Sequence, residues 1–296
     1  RVLFRSVVAF DKTGTLTLGR PRLNALVVPP DAAMDGYRAP AWLPGGNLQT
    51  IWAALLSRRL DAAPPSWRRE RWATPDQDFV DVDWLDAPVP GGAPLLVLFH
   101  GLEGTSRSHY AEAFADFARE RGLAYAVPHF GGCSGEINRA PRAYHSGDFE
   151  EIGWMLQQFR QRHTGPVIAV GVSLGGNALL RWAEEAGEEA SRFVSAVAAV
   201  CSPIDLAAGG HAIGTGFNRL VYTRMFLKTM VPKALMKLQQ YPGLFDGKAL
   251  RAIMEFLPRD EMFQIGEEEL FDLGMGILAP DRPARLALAA DGKASN

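Results

Sequence analysis

"VIAVGVSLGGNALLRW", residues 167–182, decides how this chain is read. An unbroken apolar run leads to Ser173, glycines follow it, and Ala178, Leu179 and Trp182 then fall on one helical face. Apolarity without alternation marks a strand covered on both sides. Gly171, Ser173 and Gly175 therefore occupy a strand-to-helix turn. The turn is too sharp for side chains at the flanking positions, and its strain lifts a serine hydroxyl clear of the sheet. Ser173 is the candidate nucleophile.

Working outward, "PLLVLF" (94–99), "LAYAVP" (123–128), "PVIAVG" (166–171) and "FVSAVAAV" (193–200) are further continuous apolar runs, with spacers long enough for crossover helices. The pattern predicts an α/β architecture, a mostly parallel sheet flanked by helices, and a Gly-x-Ser-x-Gly turn after one of its strands is the nucleophile elbow of the α/β-hydrolase fold. "FVDVDWLD" alternates at period two, which predicts a half-exposed strand over Phe79–Leu85, and "RRERW" (68–72) reads as a solvated face. "APAWLPGGNLQTIWAALLSRR" (39–59) gives a turn and then a helix. Between the last strand and Phe245 a helical, lid-like insertion turns Val231, Ala234, Leu235 and Leu238 inward.

"LLVLFHGLEGTSRSHYA" (95–111) ends an earlier buried strand at His100 and Gly101. In this fold that loop contributes one N–H of an oxyanion hole, assigned to Leu102, and the residue after the nucleophile, Leu174, contributes the other. His100 is expected to be a buried, hydrogen-bonded core residue. His145, just before a helix starting near Asp148, is expected to brace its loop.

Composition narrows the function. The chain has 296 residues, 47% hydrophobic and 22% charged, enough for a sizeable core. Its net charge of −2 and pI near 6.4 give no electrostatic case for nucleic acid or an anionic membrane surface. No apolar stretch reaches the roughly 18 residues needed to span a bilayer. Cys133 and Cys201 are too few for a disulfide framework or a zinc site, which fits a reducing cytoplasm.

"WLPGGNLQTIWAAL", "LFHGLEGTSRSHYA", "HFGGCSGEINRAPRAYHSGD" and "GVSLGGNALLRW", in this order over about Ala39–Arg251, resemble the YheT-type branch of α/β hydrolases, relatives of the animal abhydrolase-domain esterases. The resemblance implies a cytoplasmic, cofactor-free serine esterase acting on a small-molecule carboxylic ester, of carboxylesterase or lipid-esterase type. One departure stands out. Triads of this fold run Ser, then Asp or Glu, then His. Beyond Ser173 the sequence has a single histidine, His211, with Asp205 six residues before it, and the late segments of the family are absent. Asp205 and His211 are the remaining candidate partners, and an impaired, truncated site is expected.

The flanks read differently. "VVAFDKTGTLTLGRP" (7–21) resembles the phosphorylated-aspartate motif of heavy-metal P-type ATPases, with Asp11 as the phosphoryl acceptor. Phosphorylation of Asp11 in a pump fragment, and a noncatalytic α/β module, are the two alternative readings. "RVLFRS" (1–6) resembles translated adapter and Met34 reads as a start, so 1–33 is expected to be a join that packs poorly against a hydrolase domain at 34–250. "FLPRDEMFQIGEEELFDLGMGIL" (256–278) weakly resembles NAD-specific glutamate dehydrogenases, within an acidic helical tail at 251–296. A sheet ending at "FVSAVAAV" would leave those residues as an unpaired edge, from which self-association is expected.

Overall fold

A computed structural model describes residues 7–10, 40–56 and 64–244. A seven-stranded sheet runs in the order β1-β7-β6-β4-β5-β3-β2. Its strands are β1 (Val7–Phe10), β2 (Trp67–Ala73), β3 (Phe79–Leu85), β4 (Leu95–Phe99), β5 (Ala124–Pro128), β6 (Val167–Val172) and β7 (Ala196–Val200). The first five in that spatial order are parallel, whereas β3 is antiparallel to both β5 and β2. The expected apolar runs are the central strands: every residue of β4 is buried, as are Val167, Ala169 and Val170 of β6.

Crossover helices cover both faces. Helix α3 (Phe149–Arg162) and α4 (Leu174–Ala186) bury Ile152, Met155, Leu156, Phe159, Ala178, Leu179 and Trp182 on one side. On the other, α2 (His109–Glu120) contributes Ala111, Ala115 and Ala118, three small residues that let the helix lie close to β4 and β5. Before the sheet, α1 (Gly46–Leu55) follows the Pro/Gly turn as expected. After β7 come α5 (Leu206–Gly214), the short α6 (Gly216–Asn218), a π turn over 219–223 and α7 (Arg224–Gln240). Within α7, Val231 and Ala234 are buried with Leu227 and Leu235 against them, so the inward stripe of the insertion is where its spacing puts it.

Strand β3 has the expected bounds but not the expected exposure. Asp81 and Asp83 are 2% and 3% exposed. Register explains how two carboxylates survive there: Arg71 lies opposite Asp81 and Arg69 opposite Asp83 on β2. Each arginine grips its aspartate with two hydrogen bonds, at 2.7 and 2.8 Å for Arg71 and at 2.6 and 2.8 Å for Arg69. The loop after β5 then covers both pairs, Arg69 donating to the Ser134 carbonyl and Arg71 to Glu136. "RRERW" is thus the neutralising half of a buried charge ladder rather than a free solvated face, since a carboxylate is tolerated out of water only when paired and hydrogen-bonded.

The sheet edge is a second correction. β7 is not left unpaired: β1 lies parallel along it, with Val7 opposite Val197 and Phe10 opposite Val200. The expected self-association through Phe193–Val200 loses its basis, because those strand groups already have a partner on each side. Part of the 1–33 segment thereby belongs to the sheet, contrary to the expectation of poor packing there. Asp11 and the DKTGT loop, like the tail at 251–296, lie outside the described residues.

Candidate active site

Ser173 stands between β6 and α4 with φ 53° and ψ −120°, a left-handed backbone that a side chain rarely adopts. Hydrogen bonds hold it there, since its N–H donates to the Val200 carbonyl at 2.8 Å and its carbonyl accepts from the Asn177 N–H at 3.0 Å. The glycines of the turn are needed for closeness. A Cβ on Gly171 would sit 2.5 Å from the Gly175 carbonyl oxygen; one on Gly175 would run into the carbonyl oxygens of Phe99 and His100; one on Gly176 would meet the Ser202 hydroxyl. The elbow therefore locks against the end of β4 and the loop after β7. Half-buried Ser173 carries a hydroxyl without a hydrogen-bond partner among the described residues.

The loop after β4 lies beside it, close enough that a Cβ on Gly101 would be 3.2 Å from that of Ser173. Its backbone N–H groups can be followed one by one. Gly101 donates to the Tyr110 hydroxyl at 3.0 Å, Glu103 to the Tyr144 hydroxyl at 2.8 Å and Gly104 to the Gly101 carbonyl at 2.8 Å. Leu102 is the member of this run whose N–H has no acceptor among the described residues. Leu174 opens α4, where a first-turn N–H has no intrahelical acceptor.

Glu103 shapes that loop. It has a left-handed φ of 57°, and its carboxylate accepts from Tyr144 at 2.8 Å and pairs with Lys233 of α7 at 2.6 Å. The Lys233 ammonium also lies 3.6 Å from the Cys133 sulfur. Burial nevertheless pushes the Cys133 thiol up to about 12, so it stays protonated. One buried cluster thus joins the loop beside Ser173, the segment 133–144 and the lid helix. Lys237, one turn on, donates to the Asn138 and Ala140 carbonyls and fixes the same helix to the same segment. Glu103 and Tyr144 both lie inside the motifs quoted above, yet nothing local in the sequence singles them out, and Lys233 reads there as an ordinary lid cation.

His100 is the buried, bonded histidine expected. Its Nδ1 lies 2.8 Å from the Gly101 carbonyl and its Nε2 accepts from the Phe130 N–H, which assigns the proton to Nδ1. Burial, reinforced by neighbouring His129, holds its pKa down to about 3. His129 bonds Asp83 through Nε2 at 2.8 Å. Asp83 also accepts from Ser106 at 2.6 Å, and the Arg69, His129 and Ser106 bonds outweigh burial and hold its carboxyl well below the usual range. His145 stays within its own loop, its Nδ1 2.7 Å from the Ser146 carbonyl.

The candidate triad partners both belong to α5, in the segment after β7. Asp205 is the N-cap of α5 and accepts the Ala208 N–H at 2.9 Å. His211 is exposed in the last turn of the same helix. Six positions along a helix place two side chains on different faces. Near the start of α3, Asp148 is buried and Glu151 largely covered beside Arg142, and loss of solvent next to Asp148 pushes the Glu151 carboxyl up to about 8.

Comparisons with known proteins bear on the fold. A family model described as "alpha/beta hydrolase fold" matches residues 94–220, from β4 through the elbow into the lid. A second, "Glutamate dehydrogenase, helical motif 1", matches 227–281 and so begins inside α7, earlier than expected from the sequence. Escherichia coli YheT, an esterase by name, is 40% identical over 218 residues, 71% of this chain and 62% of that protein. Human phospholipase ABHD3 is 25% identical over 173 residues, 56% of this chain and 42% of its own length. The chain thus spans less than two thirds of either relative. Among solved structures, brefeldin A esterase (TM-score 0.40, 16% identity, 64% of this chain and 52% of that one) and esterase Est22 (TM-score 0.38, 17% identity, 48% and 45%) are similar. A parallel sheet whose serine turn follows β6, and a family model covering that same stretch, make this a chain of the α/β-hydrolase fold.

Proposed function

We propose that the chain carries the nucleophile and oxyanion half of a YheT-type serine esterase acting on carboxylic esters. Ser173 Oγ attacks the ester carbonyl carbon as a base takes the hydroxyl proton, and collapse of the tetrahedral adduct breaks the ester C–O bond, the departing alkoxide taking that proton to leave as the alcohol and the acyl-serine remaining for water to cleave. The Leu102 and Leu174 N–H groups stabilise the adduct's oxyanion. The observation carrying this reading is the left-handed Ser173 at the strand-to-helix turn, beside a loop in which Leu102 alone of residues 101–104 keeps its N–H unbonded among the described residues. The relatives named as esterases and phospholipase support the substrate class.

Turnover is proposed to be feeble. Among the described residues no side-chain base is hydrogen-bonded to the Ser173 hydroxyl, and Asp205 is engaged as the N-cap of α5. A triad enzyme stripped of a member keeps only about 10³ to 10⁴-fold catalysis over water. A fluorophosphonate probe and a short p-nitrophenyl ester test the reading together. Slow labelling and slow hydrolysis, both lost in Ser173→Ala, are expected. Labelling that survives Ser173→Ala would overturn it, and full esterase turnover would show that a base does reach the serine.

A further inference from the structure

We propose that the outward face of the lid docks on an anionic phospholipid surface. The chain's net charge of −2 hides an uneven distribution: between Leu206 and Leu244 the sequence has Arg219, Arg224, Lys228, Lys233 and Lys237 and not one aspartate or glutamate. The structure divides these cations. Lys233 and Lys237 turn inward to Glu103 and to the carbonyls of the 138–140 loop. Arg224 and Lys228 are exposed and have no acidic partner among the described residues.

Apolar side chains accompany them. Along the helical run 216–240, Val231 and Ala234 face the protein, while Phe217, Leu220 and Met225 are 54%, 56% and 52% exposed. Arg224 and Lys228 stand beside Met225 in the same run and, like it, are exposed, up to the buried Val231 three residues past Lys228. Tyr222 donates to Asn47 at 3.0 Å, tying this run to α1, where Leu48 and Leu55 are exposed, as is Trp42 just before it. Exposed large apolar side chains on two joined elements, set among cations without anions, are what an interfacial amphipathic helix presents to headgroups and acyl chains.

Charge selects this occupant over others. A second copy would bring Arg224 and Lys228 against themselves across a two-fold axis. Neutral lipid gives the cations nothing to meet, and a nucleic acid gives Phe217 and Leu220 nothing to enter. The inference does not depend on Ser173.

Co-sedimentation of the full chain with vesicles tests it, using phosphatidylcholine mixed with phosphatidylglycerol against phosphatidylcholine alone. The chain is expected to bind the mixed vesicles, to release them in high salt and to ignore the neutral ones. Arg224→Glu with Lys228→Glu should weaken binding by about tenfold or more, since each basic residue at such a surface is worth roughly a fivefold factor. Phe217→Ser with Leu220→Ser should weaken it without altering the preference for anionic lipid. If the charge-reversed chain does not fold, Arg224→Gln with Lys228→Gln supplies the same reading. Equal binding to both vesicles, binding to neither, or unchanged affinity in the charge variants overturns the proposal. So does self-association that the same variants abolish in the absence of vesicle binding.

Discussion

Tyr144 and Glu103 hold each other twice: the Tyr144 hydroxyl accepts the Glu103 N–H and donates to the Glu103 carboxylate, each at 2.8 Å. Through this clasp a residue 41 positions away fixes the left-handed backbone next to Leu102. Tyr144→Phe keeps the ring stacked on Phe130 and removes only the oxygen. The variant should lose about 1–3 kcal/mol in chemical denaturation, because a buried N–H and a charged acceptor each lose a partner. Fluorophosphonate labelling of Ser173 should slow with it, and unchanged stability and labelling would detach the clasp from the loop.

Ser173 holds an unfavourable backbone for the sake of its position, which predicts opposite outcomes at neighbouring sites. Ser173→Gly removes a strain worth about 1–3 kcal/mol, offset in part by greater freedom in the unfolded chain, so the protein should gain about 1 kcal/mol while losing all labelling. Gly175→Ala drives a methyl into the carbonyl oxygens of Phe99 and His100. That variant should lose about 1–3 kcal/mol or fail to fold. Thermal melts of the pair settle the matter, and an equally stable Gly175→Ala would contradict the close approach.

His100 makes the fold sensitive to mild acid. His100, with a pKa held down to about 3, stays neutral in the folded chain while the unfolded chain takes up a proton below about 6.5. Between those values the unfolded state binds more protons, so stability falls as pH falls, by at most about 1.4 kcal/mol per unit from this group. Asp83, whose carboxyl is depressed, adds its own loss only in stronger acid. Glu151 opposes this slope over the same range, so the midpoints are to be taken in a Glu151→Gln chain, where they should fall as pH drops from about 6.5 to about 4.5. His100→Gln should be less stable at neutral pH yet flatter across that window, and an equal slope would assign the sensitivity elsewhere.

Glu151 works in the opposite sense. Burial beside Asp148 keeps its carboxyl protonated in the folded chain up to about 8, whereas the unfolded chain ionises it near the ordinary value. The folded state therefore binds the extra proton, and stability declines as pH rises across that window. Glu151→Gln removes the ionisation and should be the more stable chain at about pH 8, by 1 kcal/mol or more, with the advantage vanishing towards pH 5. A wild type as stable as the variant in mild base would show that Arg142 already holds Glu151 ionised.

What the sequence revealed, and what it concealed, divides along chain distance. Continuous apolar runs and a glycine-flanked serine are local patterns, and they located β4 to β7 and the elbow within a few residues. Asp81 and Asp83 misled because alternating acids look solvated until Arg69 and Arg71 are known to stand opposite them. Lys233 was one more basic residue on a helix until folding brought it to Glu103. The placement of Val7–Phe10 was likewise hidden, since its neighbours in sequence suggested a different protein and only pairing with β7 reveals where it belongs.

That last strand has a consequence for the order in which the molecule is completed. Val7 is made long before Val197, yet it has no seat until β7 exists beside β6. Its pairing closes nearly the whole described chain into one loop, the slowest kind of contact to form and the most delayed in return. With four residues and, among the described residues, a neighbour on one side, β1 is also the strand with least to hold it. Its amides should be the first of the sheet to exchange with solvent, so the boundary of the sheet marks the late and reversible end of assembly.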